Sequence, residues 1–210
     1  MRFPIVLFDF DGTIVDSGAI ISASFMQVAA EAGLELTMAQ LPDVYRVGPL
    51  EAQMASLDEA RADELVARYR AINGALHADL VAFPGMVPLL EALRADGRKV
   101  GLVTSKKRFT VDLAFETLPL AHLFDVVVAS DDTAVHKPDP EPILHALERL
   151  GGTPADAAYV GDAPMDVESA RAAGVHAVAV TWGGLFPAHE TLAARPDAVA
   201  HTPEDLLALL

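Results

Sequence analysis

Asp9 and Asp11 stand one residue apart at the end of an apolar run, in the stretch FDFDGT from Phe8 to Thr13. In an extended segment, residues i and i+2 point the same way, so this spacing predicts that both carboxylates face one pocket. Two such groups are costly to place together unless a cation lies between them or one keeps its proton. Asp162, in GDAPMD from Gly161 to Asp166, offers a third acid from a distant part of the chain. Oxygen ligands with no Cys or His among them suit a hard divalent cation such as Mg²⁺, which keeps several waters beside one or two carboxylates. That cation would let an anionic substrate approach an acidic rim. The chemistry that follows is phosphoryl transfer: one carboxylate attacks phosphorus to give an aspartyl-phosphate, and the other donates and then recovers a proton.

The elements that must position these residues are legible as short apolar runs. Phe3–Phe8, Lys99–Val103, Val126–Ala129, Ala157–Val160 and His176–Val180 are nearly continuous rather than alternating, as parallel strands covered on both faces are. Helical stretches over Lys106–Thr117, Glu141–Leu150 and Asp166–Ala173 separate the later runs. Alternation of this kind predicts an α/β fold, a Rossmann-like open parallel sheet with helices on both faces. Residues 15–82 break the pattern, with no strand and several helices over 17–32, 37–45, 49–57 and 58–77. A run that long between two strands is no loop, so the expected organisation is an α/β core of residues 1–14 and 83–210 with an inserted all-helical cap over 15–82. The two crossings, near Val15–Gly18 and Val81–Gly85, are the expected hinges. HTPEDLLALL at the C-terminus predicts a helix capped by Thr202.

In open parallel sheets, ligands bind at the carboxyl ends of the strands. There the sequence puts Asp9, Phe10, Asp11 and Gly12 after strand one, then Thr104, Ser105 and Lys106 after strand two. Lys137 follows strand three by a short loop, and Asp162 and Asp166 follow strand four. Bulk composition sets the limits. The 210 residues are 52% hydrophobic and 21% charged, a globular composition, and carry a formal net charge of −15. A chain this acidic repels nucleic acid and anionic membranes, and attraction of phosphate must come from a few local cations or a metal. There is no cysteine, which excludes thiolate nucleophiles and disulfides. The apolar run before Asp9 is too short to span a bilayer, so a cytoplasmic location is the expectation. Nothing in the sequence indicates an oligomeric state.

The four motifs, DFDGT at Asp9–Thr13, the Thr ending the second strand in LVTS, Lys137 in HKPDP, and GDAPMD, together resemble those of the haloacid dehalogenase superfamily. The helical insertion after strand one is similar to its α-helical cap subclass. The resemblance implies that Asp9 is the nucleophile and Asp11 the general acid/base, the latter also lending its backbone carbonyl to Mg²⁺. It implies that Thr104 holds the transferring phosphoryl group with backbone N–H groups near Ser105, Phe10 and Gly12. Lys137 would neutralise the nucleophile, Asp162 would bind Mg²⁺, and Asp166 would bind it directly or orient its shell. Arg46, in YRVGPLE, matches a cap segment where related enzymes place a substrate-contacting Arg; a surface salt bridge is the plain alternative.

Simpler roles stand beside these. Asp166 suits a helix N-terminus whatever else it does. Lys107 and Arg108 read as the solvated first turn of a helix, and His122 and His136 as structural. The absence of lysine from residues 15–82 excludes a cap Schiff base of the phosphonate-hydrolase kind. Within the superfamily, the region around HKPDPEPILHALERLG resembles phosphoglycolate phosphatases and related pyrophosphatases. The expected function is therefore a Mg²⁺-dependent phosphatase for a small anionic phosphorylated substrate, with pyrophosphate hydrolysis, a phosphomutase outcome or a phosphate-binding regulatory role as alternatives.

Overall fold

The computed structural model describes residues 2–210. In chain order the elements are β1 (Ile5–Phe8), α1 (Gly18–Ala32), α2 (Leu41–Tyr45), α3 (Leu50–Leu57), α4 (Ala62–Leu76), α5 (Met86–Ala95), β2 (Lys99–Val103), α6 (Arg108–Thr117), β3 (Val126–Val128), α7 (Glu141–Leu150), β4 (Ala157–Gly161), α8 (Pro164–Ala173), β5 (His176–Val180), α9 (Ala188–Ala193), β6 (Ala198–Ala200) and α10 (Pro203–Leu209). The six strands form one all-parallel sheet in the order β3-β2-β1-β4-β5-β6. The chain builds β2 and β3 on one side of β1 and then returns to lay β4 on the other. That reversal makes a crevice at the carboxyl ends of β1 and β4. The register pairs Phe8 with both Leu102 and Val160, so the residues that follow β1, β2 and β4 emerge level with one another.

The central strands β1 and β4 are buried on both faces, which is why their apolar runs are continuous. On one face Val6, Phe8, Leu102 and Val160 pack against Leu89, Leu90 and Leu93 of α5, Val111 of α6 and Leu206 of α10. On the other, Ile5, Leu7 and Tyr159 meet Ile143 and Leu147 of α7 and Val167 of α8. The sixth strand, AVA, was not among the expected ones; three residues are too short to carry a periodicity, and only pairing with β5 makes them a strand. The C-terminal helix is capped as its sequence predicts, with Thr202 Oγ1 accepting from Asp205 N at 3.1 Å.

Between β1 and α5 the chain is helical and holds its own apolar cluster, with Phe25, Tyr45, Met54, Leu65 and Tyr69 inside. Ala163 and Phe186 from the strand-end loops complete that cluster, so the inserted helices sit over the carboxyl edge of the sheet. The entry and exit crossings are bonded to each other: Asp16 N donates to Val81 O and Phe83 N to Ile14 O, both at 2.9 Å. Among the described residues, no helix is long and apolar enough to cross a membrane.

Leu90 is fully buried between α5 and the sheet. Leu90→Ala is expected to remove about 2–5 kcal/mol of stability by leaving a cavity the rigid sheet cannot fill. Urea denaturation should show a lower midpoint with an unchanged slope.

Candidate active site

Asp9 continues the β1 ladder for one residue, its N–H donating to Val160 O at 2.8 Å. The chain then turns back on itself, with Ile14 N and Val15 N both donating to Phe10 O. Extended geometry ends at Asp9, so the turn gives the two aspartates different partners while leaving Asp11 near enough to raise the Asp9 carboxyl. The Asp9 side chain enters a buried cluster, whereas the Asp11 carboxylate faces the inserted helices. There it accepts from Ser17 Oγ at 2.6 Å and pairs with Lys106 Nζ at 3.2 Å.

The cluster is built around Lys137. Its ammonium donates to Asp9 Oδ1 at 2.7 Å, Asp166 Oδ1 at 2.6 Å and the Tyr159 hydroxyl at 3.0 Å, using all three of its protons. The Tyr159 hydroxyl donates onward to Val103 O at 3.0 Å. Asp166, at the start of α8, spends its other oxygen on Ala163 N at 3.0 Å. Asp162 follows β4 directly. Its Oδ1 receives Thr13 Oγ1 at 3.4 Å, and its Oδ2 is buried with no partner among the described residues.

Asp9, Asp162 and Asp166 each place one carboxylate oxygen within 4.8 Å of the others. Three buried carboxylates against one ammonium leave a local deficit of two positive charges. Burial pushes the Asp9 carboxyl up to about 7 against the pull of Lys137, and burial with Asp166 and Asp9 nearby pushes Asp162 well above the usual range. One divalent cation would cancel this deficit. The residues fit one, three carboxylates with an unpartnered oxygen on Asp162, and that side chain packs directly on glycine backbone: a Cβ on Gly12 would lie 2.3 Å from Asp162 Oδ2, and one on Gly183 2.0 Å. Gly12 also has φ of +74°, which L side chains rarely adopt. A side chain at either position would collide with the Asp162 carboxylate.

The other expected residues divide. Thr104 is buried at the end of β2, and Ser105 and Lys106 follow it on the cavity wall. Phe10 turns its ring into the core against Phe115, so its side chain takes no part in the site. Gly12 N–H is taken by Val15 O at 2.9 Å and is not free for a phosphoryl oxygen; the contribution of Gly12 is the room it leaves at Asp162. Arg46 is not brought to the site. It ion-pairs with Glu190 and with Asp43 at 3.7 Å, and its guanidinium lies over the Phe186 ring. Lys107 keeps much of its side chain in solvent, as its position in the sequence suggests, and also reaches Glu51 of α3 at 2.5 Å.

Above the cluster, a cavity of about 200 Å³ separates the strand-end loops from the inserted helices. Its wall brings in residues that sequence reasoning missed, among them Arg70, Asn73 and His77 from the end of the helical insert. His77 is buried, with Nδ1 2.7 Å from Asn73 O. Nothing in a polar helix sequence marks which turn will face a cavity. Tyr159 was also missed, because a lone Tyr in an apolar strand reads as core.

Comparison with known proteins places this arrangement. The profile of a family described as haloacid dehalogenase-like hydrolase matches residues 6–180. The pyrophosphatase PpaX of Bacillus cereus is 34% identical over 219 residues, covering 100% of this chain and 97% of that protein. Among solved structures, a candidate phosphoglycolate phosphatase from Lactobacillus plantarum superposes with a TM-score of 0.87 at 27% identity, with both chains covered in full. A candidate beta-phosphoglucomutase from Thermotoga maritima gives 0.78 at 26% identity, covering 98% of this chain and 97% of that one.

The Tyr159 hydroxyl is a test of how the cluster is held. Tyr159→Phe keeps the packing volume but leaves Val103 O without its donor and Lys137 with one proton unused. A loss of about 1–3 kcal/mol is expected from these unpaired buried groups, read as a shift in the urea midpoint.

Proposed function

The chain belongs to the haloacid dehalogenase-like hydrolase family, and from that premise we propose that it is a Mg²⁺-dependent phosphohydrolase acting on a small anionic phosphorylated substrate through an aspartyl-phosphate. The observation that carries this reading is the buried cluster of Asp9, Asp162, Asp166 and Lys137 at the crevice between β1 and β4, with one Asp162 oxygen unpartnered. In it, residues 15–82 act as a cap over the core of residues 1–14 and 83–210, moving at the two crossings to admit substrate and exclude water.

Each residue then has a task. Asp9 attacks phosphorus, and the bond from phosphorus to the leaving-group oxygen breaks. Asp11, held by Ser17 and Lys106, gives its proton to that oxygen. It then takes a proton from the water that attacks phosphorus, and the bond to Asp9 breaks to release phosphate. Lys137 favours the ionised form of Asp9 against the effect of burial, and its charge offsets that of a phosphoryl oxygen. Thr104 and the backbone at Phe10 and Ser105 hold the transferring group in line. Asp9, Asp162 and Asp166, with the Asp11 carbonyl, are the residues that would hold Mg²⁺, which supplies charge neutralisation to the phosphoryl oxygens. Phosphoglycolate is one substrate of the right size and charge. Pyrophosphate is the second, favoured by the 34% identity with PpaX.

Phosphate release should be measured on phosphoglycolate, pyrophosphate, sugar phosphates, nucleotides and an aryl phosphate, with and without Mg²⁺. Turnover that disappears with the metal is expected, and a folded protein silent on the whole panel would overturn the proposal. Asp9→Asn should cut turnover by about 10³-fold or more and leave the fold unchanged by circular dichroism. Independently of activity, Mg²⁺ at 100 times its dissociation constant should stabilise the protein by about 2.7 kcal/mol in thermal melts. Asp162→Asn should remove most of that shift; an undiminished shift would place the metal elsewhere.

A further inference from the structure

The cavity under the inserted helices carries a charge pattern that chemistry at Asp9 does not use. The whole chain has twice as many acids as Lys plus Arg, yet the cavity wall reverses the ratio, with Arg70, Lys106, Lys107 and Lys137 against Asp11 and Glu51. Lys137 is saturated by its three partners, and Lys106 is paired with Asp11. The other two cations converge on a single atom. Glu51 Oε1 accepts from Arg70 Nη2 at 2.7 Å and from Lys107 Nζ at 2.5 Å. A carboxylate therefore already sits between one cation from the inserted helices and one from the loop that precedes α6.

The Arg70 guanidinium also lies over the Phe109 ring, 5.5 Å from its centroid, and this keeps its orientation independent of Glu51. The side chains of Arg70, Lys107 and Glu51 are 36%, 39% and 43% exposed, which puts them at the cavity rim. Ion pairs in such a position are weak and exchange readily for another anion of the same shape.

We propose that Arg70 and Lys107 form the subsite for a second anionic group on the leaving-group side of the substrate, and that Glu51 is its internal placeholder, displaced when that group arrives. The inference rests on the phosphohydrolase reading and deepens it by naming the substrate class: small phosphorylated compounds whose leaving group carries another carboxylate or phosphate. Arg46, the residue expected in this role, is engaged with Glu190 and Asp43 away from the cavity wall. A guanidinium presents two parallel donors to either anion, which a single ammonium cannot.

The test is calorimetric binding to the Asp9→Asn protein in Mg²⁺, using phosphoglycolate, pyrophosphate and methyl phosphate, whose leaving group has no charge. Arg70→Met in that background should weaken at least one of the first two by about tenfold or more, the loss expected for a hydrogen bond to a charged group, with methyl phosphate within about twofold. The ligand more affected tells whether the second anion is a carboxylate or a phosphate. Glu51→Gln should tighten that same ligand. Lys107→Met, a substitution at an exposed side chain, should repeat the Arg70 pattern and guards against misfolding of one variant. Equal weakening of all three ligands, or no change in either tail-bearing one, would overturn the subsite. Arg70-dependent binding from a protein that hydrolyses nothing would instead overturn the hydrolase reading and uphold the subsite.

Discussion

Everything around the crevice is arranged to bury one ammonium among carboxylates. Taking a lysine out of water is expensive unless every proton finds an acceptor and the charge is matched. Lys137 meets that demand with Asp9, Asp166 and Tyr159, which come from the end of β1, the start of α8 and the middle of β4. These partners can converge only if the strands run parallel and in register, so that their carboxyl ends finish at one level. The cluster therefore constrains the sheet as much as the sheet positions the cluster. Asp162 is the group that this network leaves unsatisfied, and the glycines on either side of it let its carboxylate pack directly against the backbone.

The inserted helices solve a different problem. A chain with a net charge of −15 repels the anions it is proposed to bind. The cavity they cover concentrates cations from both parts of the fold, and it is lined elsewhere by apolar and aromatic side chains such as Phe25, Tyr45 and Phe186. Charges facing such surroundings are less screened than those in bulk water. The contacts that hold the helices in place are of two kinds. Ala163 and Phe186 are buried in the apolar cluster of the insert, while Glu51 with Lys107 and Arg46 with Glu190 are polar contacts between exposed side chains. The second kind is weak, as the proposed movement of the cap requires.

The sequence by itself determined the class of fold and the set of residues at the strand ends. Continuous apolar runs, helix stops and the placement of Asp9, Thr104, Lys137, Asp162 and Asp166 are local signals, and a parallel sheet brings strand ends together whatever its details. Tertiary structure decided the rest. That Asp11 leaves the carboxylate cluster depends on a turn closed onto Phe10 O. That Arg70 and not Arg46 lines the cavity depends on how four helices rotate about their axes, and both arginines sit in polar stretches without a distinguishing period. Tyr159 acquires its role from Lys137, a residue far away in the chain, and β6 exists only because β5 is there to pair with it. Local pattern reports what a segment prefers; which side chains meet across the crevice is set by packing between segments, and no short stretch of sequence contains that information.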